Sequence, residues 1–103
     1  MIRKQEITTF EFPEKAVIWD VRDPDAYAEG HLKGAVNQPI NDINQESLTQ
    51  VETGRPIYIL CGGGSKAPRA AEKLEGFDNS REYVVLMGGT RAAKVAGLPI
   101  EQN

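Results

Sequence analysis

Four apolar residues, Ile57-Tyr58-Ile59-Leu60, run directly into the only cysteine of the chain, three glycines, and then Ser65-Lys66-Ala67-Pro68-Arg69-Ala70-Ala71. A continuous apolar run bounded by Pro56 and glycines reads as a strand covered on both faces, and Ala67, Ala70, Ala71 and Leu74 share one helical stripe. Cys61 is thereby placed at the carboxyl end of a buried strand, where the chain turns into a helix.

That position has chemical consequences. Ligands of open α/β sheets bind beyond the carboxyl ends of the strands, where the next helix offers its unpaired N–H groups. Gly62, Gly63 and Gly64 carry no side chains to cover those amides, so a cradle of donors around the sulfur is expected. Ser65 is the expected N-cap, and Pro68 is tolerated in a first turn whose amides have no intrahelical partner. A thiol at a helix N-terminus beside a cation such as Lys66 ionises more readily than a free one, and the thiolate is the nucleophile. The competing reading makes Cys61 a small buried hydrophobe and leaves the glycines merely to turn the chain.

The other elements follow from the same patterns. Glu6 to Phe10 reads as a short edge strand, and Ala16-Val17-Ile18-Trp19 as a second buried strand ending at Asp20. Asp23, Pro24 and Gly30 read as N-cap, first helical position and stop of a short helix whose Tyr27 packs inward. Ala35-Val36-Asn37 is a third strand, and a helix is expected over Glu46 to Val51, ended by Gly54-Arg55-Pro56. Gly76 is expected to stop the helix after Cys61, with Phe77 closing its apolar stripe. Tyr83-Val84-Val85-Leu86 is the last buried strand, followed by Gly88-Gly89 and a helix to about Val95. Strands alternating with helices require a parallel sheet covered on both faces.

Composition sets the bounds. A chain of 103 residues is read as one domain, 1–103, with a single modest core. One cysteine cannot form an internal disulfide, and one histidine with one cysteine offers no metal-ligand cluster, so neither a metal nor a cofactor is expected. No apolar stretch approaches membrane-spanning length and no signal core follows Met1, which together with the free thiol suggests a cytoplasmic protein. The net charge of −3 is uneven: residues 1–52 hold five Lys/Arg against ten Asp/Glu, and residues 53–103 seven against five. The more basic half holds the cysteine, which suits a small anionic substrate and argues against nucleic acid.

Three stretches resemble one family. The six-residue loop Cys61 to Lys66 resembles the active-site loop of single-domain rhodaneses, the thiosulfate sulfurtransferases. Trp19-Asp20-Val21-Arg22-Asp23-Pro24 through His31-Leu32-Lys33-Gly34-Ala35-Val36-Asn37 is similar to that family's amino-terminal signature, and Val85-Leu86-Met87-Gly88-Gly89 through Ala96-Gly97-Leu98-Pro99 to its carboxyl-terminal one. The resemblance implies a rhodanese-like three-layer α/β/α fold with a central, mainly parallel five-stranded sheet and the cysteine strand in its middle. It implies that Cys61 attacks the outer sulfur of thiosulfate or of a persulfide donor, and that the Cys61 persulfide passes its sulfur to a thiol or cyanide. The substrate-binding set would be Gly62, Gly63, Gly64, Ser65, Lys66 and Ala67, with Asp20, Arg22 and His31 as structural support. Partners would be a small anionic sulfur donor and a thiol acceptor, a protein thiol included, with no nucleic acid and no membrane.

Two features depart from the family pattern. Gly62 and Gly63 stand where many members place basic side chains, so weak thiosulfate affinity is expected. Thr90 and Ala93 stand where a tryptophan and a second aromatic are usual. Three other readings compete. A cysteine phosphatase of the related fold needs an arginine where Ala67 stands and a loop one residue longer. His31 would make a Cys/His nucleophile pair, although a lone histidine in a turn is more often structural. A rhodanese-fold module could also carry sulfur within a protein relay without turnover of its own.

Overall fold

The structure, a computed structural model, describes residues 1–102. Five strands form one parallel sheet: β1 (Ile2–Glu6), β2 (Val17–Asp20), β4 (Ala35–Asn37), β5 (Ile57–Leu60) and β6 (Tyr83–Met87). Their spatial order is β1-β6-β5-β2-β4, which puts the strand leading to Cys61 in the centre. A separate antiparallel pair joins β3 (His31–Leu32) to β7 (Ile100–Glu101). Three α-helices complete the chain, α1 (Pro24–Glu29), α2 (Lys66–Phe77) and α3 (Gly89–Val95). No helix among the described residues is long and apolar enough to cross a membrane.

Alternate residues of each central strand enter opposite cores. Ile57, Ile59 and Cys61 of the β5 segment join Tyr83, Val85 and the α2 stripe of Ala67, Ala70, Ala71 and Leu74 on one face. Leu60, Val84 and Leu86 join Ile7, Phe10, Leu32 and Ala93 on the other. Because neighbouring positions are buried on both sides, the strands read as unbroken apolar runs rather than alternating ones. This is the three-layer α/β arrangement expected from the sequence.

Several local expectations are corrected. The first strand is Ile2–Glu6, not Glu6 to Phe10, and Ile7–Thr9 is a 3₁₀ turn. Ile7 in that turn and Phe10 directly after it are both buried in the core, at the three-residue spacing of a 3₁₀ turn rather than the two-residue period of a strand. The real edge strand is polar because one side of it meets solvent. Residues Gln45–Gln50 form a 3₁₀ helix rather than an α-helix over Glu46 to Val51, begun by reciprocal hydrogen bonds between Asn44 and Ser47.

Gly76 does not end α2, which continues to Phe77. The Tyr83 hydroxyl instead lies 3.2 Å from the Leu74 carbonyl oxygen and 2.6 Å from that of Asp78, closing the helix end from the sheet. Phe77 is 38% exposed and does not close the apolar stripe. The β3/β7 pair has no counterpart in the sequence reading, since two-residue strands carry no periodicity.

Candidate functional site

From β2 the chain moves outward to β4, whereas from β5 it moves to β6 on the opposite side. The carboxyl ends of β2 and β5 therefore border the crevice where the chain order reverses, the standard ligand position of an open parallel sheet. Residues just beyond those two strands, Arg22 and Asp23 after β2 and Cys61, Gly62, Gly64, Ser65 and Lys66 after β5, line a pocket of about 330 Å³ together with Ala26. Gly63 does not line this pocket, and Ala67, buried at 2%, lies in the core beneath it.

Cys61 is buried at 4% exposure, and its Sγ lies 3.6 Å from the carbonyl oxygen of Gly64, a weak S–H donor contact. Among the described residues, no protein acceptor takes the amide N–H of Gly62, Gly63, Gly64, Ser65, Lys66 or Ala67. Six consecutive amides after Cys61 are thus left unpaired, and they run into the N-terminus of α2. Ser65 holds the expected N-cap position of α2, but its side chain makes no capping hydrogen bond. A second cavity of about 20 Å³, bounded by Cys61, Gly64, Ala67 and Met87, lies under the loop and has room for one water-sized atom.

The pocket wall is built from a buried ion pair. Asp20 is wholly buried, and its two carboxylate oxygens accept from Arg22 Nε at 2.9 Å and Arg22 Nη2 at 2.7 Å. Arg22 Nη2 also donates to the Gly30 carbonyl at 2.8 Å. A planar fork held at both ends is rigid, and its aliphatic Cδ would stand 3.8 Å from a Cβ placed on Gly62. Lys66, the only cation within the loop, lies 3.6 Å from Asp23 Oδ1.

His31 does not line the pocket. Its Nδ1 lies 2.9 Å from the Tyr27 carbonyl oxygen, and its ring stacks on Tyr27 with centroids 3.8 Å apart. Burial, with the charges of Asp20 and Glu101, raises the Tyr27 hydroxyl above the ordinary tyrosine range.

Sequence reasoning missed three contributors. Asn37 Nδ2 donates to the carbonyls of Asp20 and Arg22, both at 3.0 Å, and so fixes the turn after β2. The amides of Thr90 and Arg91 donate to the carbonyls of Cys61 and Gly62, so the start of α3 clamps the loop. Gly89, at φ +58°, allows that approach, because a Cβ there would stand 2.3 Å from the Cys61 carbonyl oxygen. The glycine pair was visible in the sequence, but nothing local indicated which backbone it would meet.

Comparison with known proteins fits this geometry. The sequence pattern of the rhodanese-like domain matches residues 9–96. The chain belongs to the rhodanese-like family. Over 92 residues, 87% of the chain, this rhodanese-like protein is 31% identical to the thiosulfate sulfurtransferase GlpE of Vibrio cholerae, of which it covers 83%. It is 35% identical over 60 residues to the uncharacterized protein YqhL of Bacillus subtilis. That match takes in 58% of this chain and 47% of YqhL, so this rhodanese-like chain spans about half the length of that relative. Its fold superposes on the crystal structure of the BH2092 protein of Bacillus halodurans with a TM-score of 0.86 at 24% identity, covering 97% of this chain and 77% of that one.

Proposed function

We propose that this rhodanese-like chain is a sulfurtransferase that carries sulfane sulfur as a Cys61 persulfide. The observation that carries the reading is the lone buried cysteine at the end of the central strand, followed directly by six amides that no protein acceptor uses. Cys61 thiolate attacks the outer sulfur of the donor. The donor's S–S bond breaks and its electron pair leaves with sulfite, or with the thiolate of a persulfide donor. The Cys61 persulfide then gives its outer sulfur to a thiol or cyanide, which restores the thiolate. Dividing one transfer into two displacements is covalent catalysis. The amides around the sulfur would stabilise negative charge in both steps, in the manner of an oxyanion hole. The 20 Å³ cavity beside Cys61 leaves room for the added atom.

A thiosulfate sulfurtransferase among the relatives supports thiosulfate as one donor. The relay reading, in which a protein persulfide is the donor, draws support from the pairing of Lys66 with Asp23, which leaves no unopposed cation lining the pocket.

The test is intact mass of the reduced protein after brief exposure to thiosulfate or to a persulfide, with Cys61→Ser as control. A cyanide-removable gain of one sulfur, about 32 mass units, on the native chain alone supports the covalent intermediate. A gain on Cys61→Ser, or no gain with either donor, would defeat the reading.

A further inference from the structure

Each positive side chain at the Cys61 pocket faces a carboxylate. Arg22 is held by Asp20, which lies wholly buried behind the wall, and Lys66 faces Asp23. These four groups carry two positive and two negative charges, so the pocket has no net charge with which to draw in an anion. The two carboxylates differ in place. Asp20 is part of the buried frame, whereas Asp23 lines the pocket itself and is 69% exposed. Although it precedes Pro24, the first residue of α1, its side chain makes no capping hydrogen bond. Asp23 therefore has no observed duty in the helix, and Lys66 is the one ionic partner its carboxylate meets among the described residues.

We propose that Asp23 is a specificity-determining residue of this pocket. By opposing Lys66 at the mouth, it turns the site against dianionic sulfur donors and toward donors that bring a single negative charge, such as thiosulfonates and the persulfides of thiols. The inference rests on the reading that Cys61 accepts sulfane sulfur. Its physical content is Coulombic. At a given distance a carboxylate repels a dianion twice as strongly as a monoanion, so removing it helps the dianion by the square of the factor it helps the monoanion. Because the Lys66–Asp23 pair is exposed, screening keeps that factor modest.

Two donors separate charge from reactivity. Thiosulfate and methanethiosulfonate present the same outer sulfur on a sulfonyl sulfur, with charges of 2− and 1−. In each case the Cys61 thiolate forms a new S–S bond to the outer sulfur, the donor S–S bond breaks, and sulfite or methanesulfinate departs with its electron pair. The charge sums match on both sides.

The experiment measures the second-order rate of Cys61 persulfide formation in the full chain, by quenched intact mass, for the native protein, Asp23→Asn and Asp23→Glu. Asp23→Asn should raise the thiosulfate rate about fourfold and the methanethiosulfonate rate about twofold, given the doubled charge. The difference should vanish near 1 M salt, where the screening length falls to about 3 Å. Asp23→Glu should keep the native ratio. Equal changes for the two donors, no change, or a Glu variant that behaves like Asn would overturn the role of Asp23 and leave the Cys61 chemistry standing. If neither donor adds sulfur to the native chain or to any variant, the sulfur-acceptor reading falls and this inference falls with it.

Discussion

Thr90 donates its amide to the carbonyl of Cys61 at 2.8 Å, which joins the helix after the last strand to the residue proposed as nucleophile. The contact exists only because residue 89 is glycine: a Cβ there would stand 2.3 Å from that carbonyl oxygen.

Gly89→Ala should therefore displace the loop. The left-handed backbone costs an alanine about 1 kcal/mol, and relieving the overlap with the Cys61 carbonyl adds more, so a loss of at least about 2 kcal/mol in chemical denaturation is expected. Persulfide formation should fall further than stability alone explains, measured where the variant remains folded. A variant with native stability and native rates would contradict the clamp.

Lys66→Ala leaves the Asp23 carboxylate at the pocket mouth without its cation. The Michaelis constant for thiosulfate should rise about fivefold, the size expected of an exposed charge acting on a dianion, while transfer from the Cys61 persulfide to a neutral thiol changes less. Equal losses in the two half-reactions would argue against an electrostatic role in donor binding.

Arg22→Gln removes the partner of a carboxylate that is wholly buried. Breaking such a pair from one side costs about 3 kcal/mol, because the remaining charge is left uncompensated, whereas removing both charges costs less. The double variant Asp20→Asn with Arg22→Gln should recover part of the loss in urea denaturation. A single variant within about 0.5 kcal/mol of the native protein would show that the pair is not needed to hold the pocket wall, given the usual tolerance of surface changes.

Tyr83→Phe removes the hydroxyl that meets the carbonyls of Leu74 and Asp78. The Leu74 carbonyl keeps its bond from the Asp78 amide, so the loss is that of the Asp78 carbonyl's hydroxyl partner, about 1 kcal/mol at neutral pH. Burial, reinforced by the charge of Asp78, holds the Tyr83 hydroxyl above its ordinary value of 10.0. The unfolded chain thus releases this proton first as pH rises. Stability from this group is complete below about pH 10 and is lost as pH climbs toward the raised folded value. The alkaline fall in stability should be shallower in Tyr83→Phe than in the native protein, with the Tyr27 contribution remaining in both. An unchanged alkaline slope would remove Tyr83 as a contributor to it.

Much of this fold could be read from local pattern. The runs at Val17, Ile57 and Tyr83 are apolar throughout because each strand is buried on both faces, and the α2 stripe repeats with the helical period. Where the pattern failed, solvent or a neighbour supplied the missing information. The strand Ile2–Glu6 is polar because it lies at a sheet edge, and its partner β6 is 81 residues further along from Ile2 to Tyr83. Gly76 resembled a helix stop, yet the end of α2 is closed by Tyr83 from the sheet.

For the candidate site, the order of residue types was enough to put a cysteine at a strand end, glycines after it and a helix behind them, since backbone amides and strand burial are local properties. The tertiary structure decided the charge of the pocket. Lys66 looked like a free cation in the sequence, but the crevice between β2 and β5 brings Asp23 within 3.6 Å of it from 43 positions away. Coulomb forces depend on distance in space rather than along the chain, so the balance of charge around Cys61 comes into being only when the two strand ends meet.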